Sequence, residues 1–309
     1  MSDKLASLAI ELQNAGLTVL HDEPMSRHTT YEIGGPADLF VQAASREQMI
    51  LAFNKARAVG FIPLILGGGA EILVADAGIR GAVIHYTAAQ YRFTPQDGEV
   101  RVWAEAGASF QDLARESVSR ALEGLHWAVD IPGSIGGAVV GNAGAFGGYI
   151  CDCVVGATLL EMDGAVREIF AAEIAFCYRG SRLKQMPRDE RPVILDVTLT
   201  LRPGDPQWLA EMAAQYTQRR WERNPREPSC GSVFKRTANY PAGFLIEQCG
   251  LKGERRGNAM ISPLHANFII NLGGARAVEV KALIDLAQER VKAQFGETLE
   301  PEIELVGEW

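Results

Sequence analysis

The chain has 309 residues, a formal net charge of −8, 47% hydrophobic residues, 32 Gly and 14 Pro. That length and apolar content suit two or three domains with real cores and many tight turns. The acidic balance excludes nucleic acid or an anionic membrane as the main partner, since both require clustered Lys and Arg. Local basic patches can still hold phosphates. Five cysteines, an odd number, do not form a disulfide framework in a chain this long. Cys151 and Cys153 lack zinc-site spacing, so no metal is expected. The thiols read as reduced, as in a cytoplasmic protein.

In chain order, residues 1–16 predict an amphipathic helix with Leu5, Leu8, Ala9 and Leu12 on one face, without the apolar core or cleavage site of a signal peptide. Ser45-Arg46-Glu47-Gln48 reads as a capping box opening a helix that Gly60 closes. A strand over 61–66 runs into Gly67-Gly68-Gly69. Further strands are predicted at 82–86, 101–105, 154–162 and 193–201, with a second helix starting at Ser109. Asp205-Pro206 reads as an N-cap with Pro at the first helical position, the helix reaching about Trp221. Beyond the prolines of 222–228 come a strand at 232–235, a helix at 241–249 and a strand at 267–272. A long helix at 278–295 and a strand at 302–306 complete the chain. The expected organisation is an N-terminal helix in 1–20, an α+β domain over 21–204, and a compact α+β unit with its linking helix over 205–309.

Between Ile131 and Cys151 no residue is charged, and Gly133, Gly137 and Gly141 recur at the GxxxG spacing of membrane helices. Glycine there is so frequent, with Pro132 and Asn142 besides, that helix formation is penalised by about 1 kcal/mol per Gly. A buried glycine-rich loop around a ligand is the expectation, with no membrane insertion. Seven glycines in this stretch suggest a cofactor lying along the main chain. Gly67-Gly68-Gly69 could form an anion-binding nest or an ordinary tight turn. It is neither a Rossmann fingerprint nor a Walker loop.

Seven ordered segments carry a resemblance. They are 28–37 (HTTYEIGGPA), 66–76, 131–148, 178–181 (YRGS), 228–235 (PSCGSVFK), 265–268 (HANF) and 299–302 (LEPE). In these the chain resembles the UDP-N-acetylenolpyruvoylglucosamine reductases (UDP-N-acetylmuramate dehydrogenases) over nearly its whole length. With no insertion to supply a substrate-covering tyrosine loop, it looks like the family's second structural type. The resemblance implies an α+β chain with a two-subdomain FAD-binding domain of the vanillyl-alcohol-oxidase (PCMH) kind and a C-terminal substrate domain. It implies NADPH-dependent, FAD-mediated reduction of a UDP-N-acetylglucosamine enolpyruvate to UDP-N-acetylmuramate, a step of peptidoglycan synthesis.

Residue by residue, the resemblance gives Gly67, Gly68, Gly69, Ser134, Gly136, Gly137, Asn142, Gly144 and Arg220 to the cofactor, and Arg223, Lys235 and Arg236 to the substrate. Arg220 and Arg223 equally suit a solvated helix end. The family usually has Ser-Asn where this chain has Ala70-Glu71, which brings a carboxylate near the expected phosphates. Three residues take catalytic roles by their motifs. Arg179 forks two N–H bonds to the carboxylate of the enol ether and steadies the charge formed beside it. Ser232 gives a proton to C2, with Lys235 or a relay water offsetting the charge left on oxygen. Ser229 is as plausible from its residue type alone, and only the Gly-Ser-x-Phe-Lys match selects Ser232. Glu302, at the start of the last strand, faces a carboxylate and is expected to be protonated.

Covalent catalysis by Cys230 is not expected, and His265 reads as structural. Two other readings stay open: a flavin oxidase of the same fold, and a nucleotide-sugar binding protein without FAD, which Ala70-Glu71 makes conceivable. Oligomeric state is not readable.

Overall fold

The computed structural model describes residues 3–309, which pack as two compact units. The first holds the chain up to residue 20 together with 39–68 and 81–218, and the second holds 21–38, 69–80 and 219–309.

In the first unit the helix Asp3–Asn14 buries Leu5, Leu8, Ala9 and Leu12, the four positions its periodicity selects. Ser45 caps the helix Arg46–Ala58, its Oγ accepting from the Gln48 N–H at 3.2 Å. The Gln48 side chain closes the turn on the Ala44 N–H at 2.8 Å, one residue earlier than a strict capping box requires. Gly60, at φ +89°, ends that turn. The main sheet is antiparallel, in the order Val166–Phe170, Val154–Leu160, Val193–Pro203, Glu99–Glu105, Tyr91–Gln96, with Leu122–Glu123 pairing aside. Val193–Pro203 is central, and its first five residues are all buried, as a strand covered on both faces requires. A second sheet places Leu64–Leu66 parallel to Ile79–Tyr86, with Leu64 opposite Val83.

Several predictions need correction. Residues 131–151 are not an irregular loop, because Ile135–Gly141 is a short α-helix capped by Ser134 Oγ, which accepts from the Gly137 N–H at 3.3 Å. Tertiary burial outweighs the propensity penalty there, since Ile135, Gly136, Ala138, Val139 and Gly141 are all buried. Among the described residues no helix is long and apolar enough to cross a membrane. The strand predicted at 232–235 reduces to one isolated bridge, Phe234 to Pro301, so this segment pairs at a point rather than along a ladder. The strand predicted at 302–306 is Glu304–Val306, which leaves Glu302 in a bend before it. Strands at Thr18–Pro24 and Tyr91–Gln96 were not anticipated; both are mostly solvent-facing and lack an apolar run.

In the second unit, the helix Ala277–Phe295 buries Ala277, Val280, Leu283, Ile284, Ala287 and Val291, spacings that keep one stripe inward. Gly296, at φ +71°, terminates it. It packs in the same core as the helix Ala242–Gln248 and the strands Ala259–Ile261 and Ile269–Asn271. The segment 69–80 joins this unit through the strand Ile72–Val74, parallel to Glu304–Val306, with Ile72 opposite Glu304. Asp76 supplies the N-terminal cap of the long helix. Its two carboxylate oxygens accept from the Ala277 N–H at 2.7 Å and the Val278 N–H at 3.0 Å. Those donors have no partner within the helix, and negative charge there also suits the helix dipole.

Asp76→Ala is therefore expected to lower stability by about 1–2 kcal/mol. The measurement is the urea midpoint at unchanged slope, and an unaltered midpoint would remove the cap from the account.

Candidate functional site

In the first unit the candidate site is organised around the helix Ile135–Gly141. Its start is tied to the end of the strand Glu99–Glu105 by main-chain bonds: Ile135 N–H to Ala108 O and Gly136 N–H to Ala106 O, both at 2.9 Å. The Phe110 N–H reaches Gly133 O at 3.0 Å, so the glycine segment also fixes the next helix, Phe110–Ser119. A Cβ on Gly136 would lie 2.7 Å from the Ala106 Cβ, and one on Gly68 would lie 2.6 Å from the Gly133 Cα. The two glycine segments thus meet backbone to backbone.

Folding accounts for more of these glycines than composition alone suggests. A Cβ on Gly144 would run into the Tyr149 ring, and one on Gly148 into the Trp127 indole. Gly137 is different. It is exposed, and a Cβ there would meet nothing closer than the Ser134 Oγ at 3.5 Å. No contact within the chain demands a glycine at this position, yet glycine costs a helix about 1 kcal/mol relative to Ala. A bare main-chain face of this kind fits the close approach of a flat or phosphorylated cofactor, so the residues present suit FAD.

Asn142, carried forward as a cofactor contact, is buried and left-handed at φ +46°. Its amide nitrogen donates to Cys177 O at 2.8 Å, and its oxygen accepts from the Cys151 N–H at 3.3 Å. Arg179 sits on the turn that Cys177 begins. The guanidinium carbon lies 5.8 Å from the centre of the Tyr178 ring, and Nε is shielded from solvent.

In the second unit, Ser232 and Glu302 come from neighbouring segments. The Glu302 N–H donates to Val233 O at 2.8 Å, and the Lys235 N–H donates to Glu300 O at 2.9 Å. Ser232 is half-buried. Lys235, its expected charge partner, reaches Glu300 at 2.6 Å, so part of its field is already matched. Arg236 is exposed. Arg220 and Arg223 occupy the last turn of the helix Pro206–Arg223, where their charge suits the helix dipole.

Sequence reasoning missed Asn267 as a positioning residue. Its side chain accepts from the Phe234 N–H at 3.1 Å and donates to Phe234 O at 2.8 Å, while its carbonyl takes the Val233 N–H at 2.8 Å. Three bonds from one residue fix the backbone just after Ser232. His265 supports it, with Nδ1 accepting from the Asn267 N–H at 3.2 Å. Burial holds the His265 ring below its ordinary pKa, and Lys252 and Arg223 push the same way, so neutral imidazole is the form that can accept. The signal available in the sequence was the His265-Ala266-Asn267 segment itself.

Cys230 is buried beside Tyr31. Burial pushes its thiol up to about 12, the Tyr31 hydroxyl pulls the other way, and the Glu71 and Glu302 carboxylates add to the rise. A thiol held so high is no nucleophile at neutral pH. Glu71, the departure from the usual pattern, thus carries its charge to the neighbourhood of Cys230, and its carbonyl accepts from the Glu304 N–H at 2.9 Å. Among the described residues, no group of three or more His, Cys, Asp or Glu could hold a metal ion.

Comparison with known proteins settles the lineage. Residues 223–306 match the family model of the UDP-N-acetylenolpyruvoylglucosamine reductase C-terminal domain, and 37–169 match an FAD binding domain. The UDP-N-acetylenolpyruvoylglucosamine reductase of Moorella thermoacetica is 42% identical over 98% of this chain and 99% of its own. The chain belongs to this family. The reductase of Rubrobacter xylanophilus is 41% identical over 93% of this chain and 95% of its own. The crystal structure of the Thermus caldophilus MurB reductase matches with a TM-score of 0.78 at 32% identity, covering 94% of this chain and 99% of that one. As in the family, an FAD-binding domain is joined to a C-terminal domain in a mixed helix-and-strand chain.

The two neighbouring glycines give a contrasting pair. Gly136→Ala should destabilise the fold through its clash with Ala106, whereas Gly137→Ala should keep or slightly raise thermal stability and weaken FAD binding by about tenfold or more. Melting temperature and flavin titration of the apoprotein check both. Undiminished FAD affinity in Gly137→Ala would detach this face from the cofactor.

Proposed function

We propose that the protein reduces the enolpyruvyl double bond of UDP-N-acetylglucosamine enolpyruvate with electrons from NADPH, giving UDP-N-acetylmuramate for peptidoglycan precursor synthesis in the cytoplasm. The observation that carries the reading is the full-length match to reductases of that name, FAD-binding and C-terminal parts together. The proposed division of labour gives 21–204 to FAD and 205–309 to the substrate, after the N-terminal helix in 1–20.

The chemistry required is hydride delivery to C3, stabilisation of negative charge on C2 and its carboxylate, and protonation of C2. Bound FAD supplies the hydride it receives from NADPH. Arg179 binds the substrate carboxylate through two guanidinium N–H groups, which favours the electron-rich form over the ground state. Glu302, protonated, donates a further hydrogen bond to that group. The Ser232 hydroxyl transfers its proton to C2. Support for the last two roles is the main-chain link between their segments, Glu302 N–H to Val233 O, and the Asn267 clip that fixes the backbone after Ser232. Gly67 to Gly69, Ser134, Gly136, Gly137 and Gly144 are proposed to line FAD, with Arg220 at a phosphate. Arg223, Lys235 and Arg236 are proposed to meet the UDP-sugar.

The purified protein should be yellow, bleach with NADPH in the absence of oxygen, and regain colour when the enolpyruvyl sugar is added. Recovery only on admitting oxygen would overturn the substrate assignment in favour of an oxidase. Ser232→Ala should leave reduction by NADPH within about twofold and slow reoxidation by substrate roughly 10²–10⁴-fold, the usual loss when a general acid is removed. Equal slowing of both half-reactions, measured by stopped flow, would strike Ser232 as the donor.

A further inference from the structure

Arg179 adopts φ +52°, a left-handed conformation that non-glycine residues take at a cost of about 1–3 kcal/mol. The turn is closed by a reciprocal main-chain pair, Cys177 N–H to Gly180 O at 2.9 Å and Gly180 N–H to Cys177 O at 3.2 Å. Arg179 is therefore the third residue of a four-residue turn, a place where positive φ normally calls for glycine. The chain instead puts its glycine one position later and leaves the strain on the arginine. Strain of this kind survives only where surrounding contacts over-determine the backbone.

Those contacts flank the arginine on both sides and lead to one element. Upstream, the Asn142 amide donates to Cys177 O at 2.8 Å. Downstream, the Ser181 hydroxyl donates to Val140 O at 2.7 Å and accepts from the Lys184 N–H at 3.3 Å. Val140 lies in the last turn of the helix Ile135–Gly141, where carbonyls lack helical partners, and Asn142 is the left-handed C-cap of the same helix. Ser181 thus joins the C-terminal end of the glycine helix to the start of the helix Arg182–Gln185. It has no exposed surface, and Asn142 has 4%. Both donors are thereby held away from solvent, and the two bonds are partly buried.

We propose that Ser181 and Asn142 are positioning residues that clamp the strained Arg179 turn to the C-terminal end of the glycine helix, so that the element offered to the cofactor also sets the aim of the guanidinium. The proposal rests on the reading of Arg179 as the clamp on the substrate carboxylate. Neither residue touches a reacting atom in it. Their effect passes through Arg179 alone, which separates them from residues that merely support the fold.

The test compares wild-type holoprotein with Ser181→Ala by hydrogen exchange and by the two half-reactions. Release of the clamp should make the Cys177 and Gly180 amides exchange about tenfold faster or more, while amides of the central strand Val193–Pro203 keep their rates. Flavin reduction by NADPH should stay within about twofold, and reoxidation by the enolpyruvyl sugar should slow roughly tenfold to a hundredfold, the scale of a misaimed catalytic group. In an Arg179→Ala background, Ser181→Ala should bring no further loss of reoxidation rate, because the two changes act through one group.

Unchanged exchange at both amides, equal slowing of the two half-reactions, or additive losses in the double variant would each overturn the proposal. If Ser181→Ala does not fold, Asn142→Gly takes its place in the exchange measurement, since glycine keeps the left-handed cap without strain. Wild-type protein that the enolpyruvyl sugar fails to reoxidise would overturn the functional reading alone, and the exchange rates would still decide the clamp.

Discussion

The main-chain contact at Ala106–Ala108 is the constraint on which the candidate site of the first unit depends. Two amides of the glycine helix bond carbonyls at the end of the strand Glu99–Glu105, and Gly136 lies against Ala106 with no room for a side chain. The strand is rigid because it pairs with the buried strand Val193–Pro203 across six positions. That rigidity passes through the helix start to the bare face at Gly137, and through the helix end to the Arg179 turn. One short helix thereby serves two ends, with an open backbone surface near its beginning and a clamped arginine near its finish.

The second unit solves a similar problem with side chains in place of glycines. The segment around Ser232 forms no ladder, so regular pairing cannot hold it. Asn267 compensates, because an amide side chain offers a donor and an acceptor in one plane, as a neighbouring strand would. His265 holds Asn267 in turn, and its buried ring stays neutral where a charged one would lose the acceptor.

Helices and their caps were largely legible in the sequence. Ser45, Ser109, Gly60, Gly250 and Gly296 all mark ends where expected, because capping is local chemistry and needs no knowledge of the fold. Strands were legible in part: Val193–Pro203 was anticipated, whereas the buried strand Pro36–Ala43 was not, and the polar strand Tyr91–Gln96 is held by its neighbour and not by its own composition. The helix Ile135–Gly141 was hidden because its residues oppose helix formation one by one, and only tertiary burial outweighs that. The glycines misled in a related way: several that suggest a cofactor answer to Ala106, Tyr149 or Trp127. Motif resemblance singles out Arg179, Ser232 and Glu302 as candidates, whereas Asn267 and Ser181 lie in two of the same segments but, acting on backbone, have no residue type that marks them for chemistry.

The field around Cys230 bears on the proposed proton transfer. Burial, the largest cause, holds that thiol near 12, and Ser232 two residues along is itself half-buried, so an alkoxide there is costly unless a cation offsets it. Lys235 is partly matched by Glu300 and offers limited relief. A serine in such surroundings retains its proton against ordinary bases. It yields only to a centre far more basic than water, and the electron-rich C2 that follows hydride addition is such a centre. The proposed order, hydride to C3 before proton to C2, follows from that difference in basicity, because a hydroxyl is too weak an acid to protonate the double bond first.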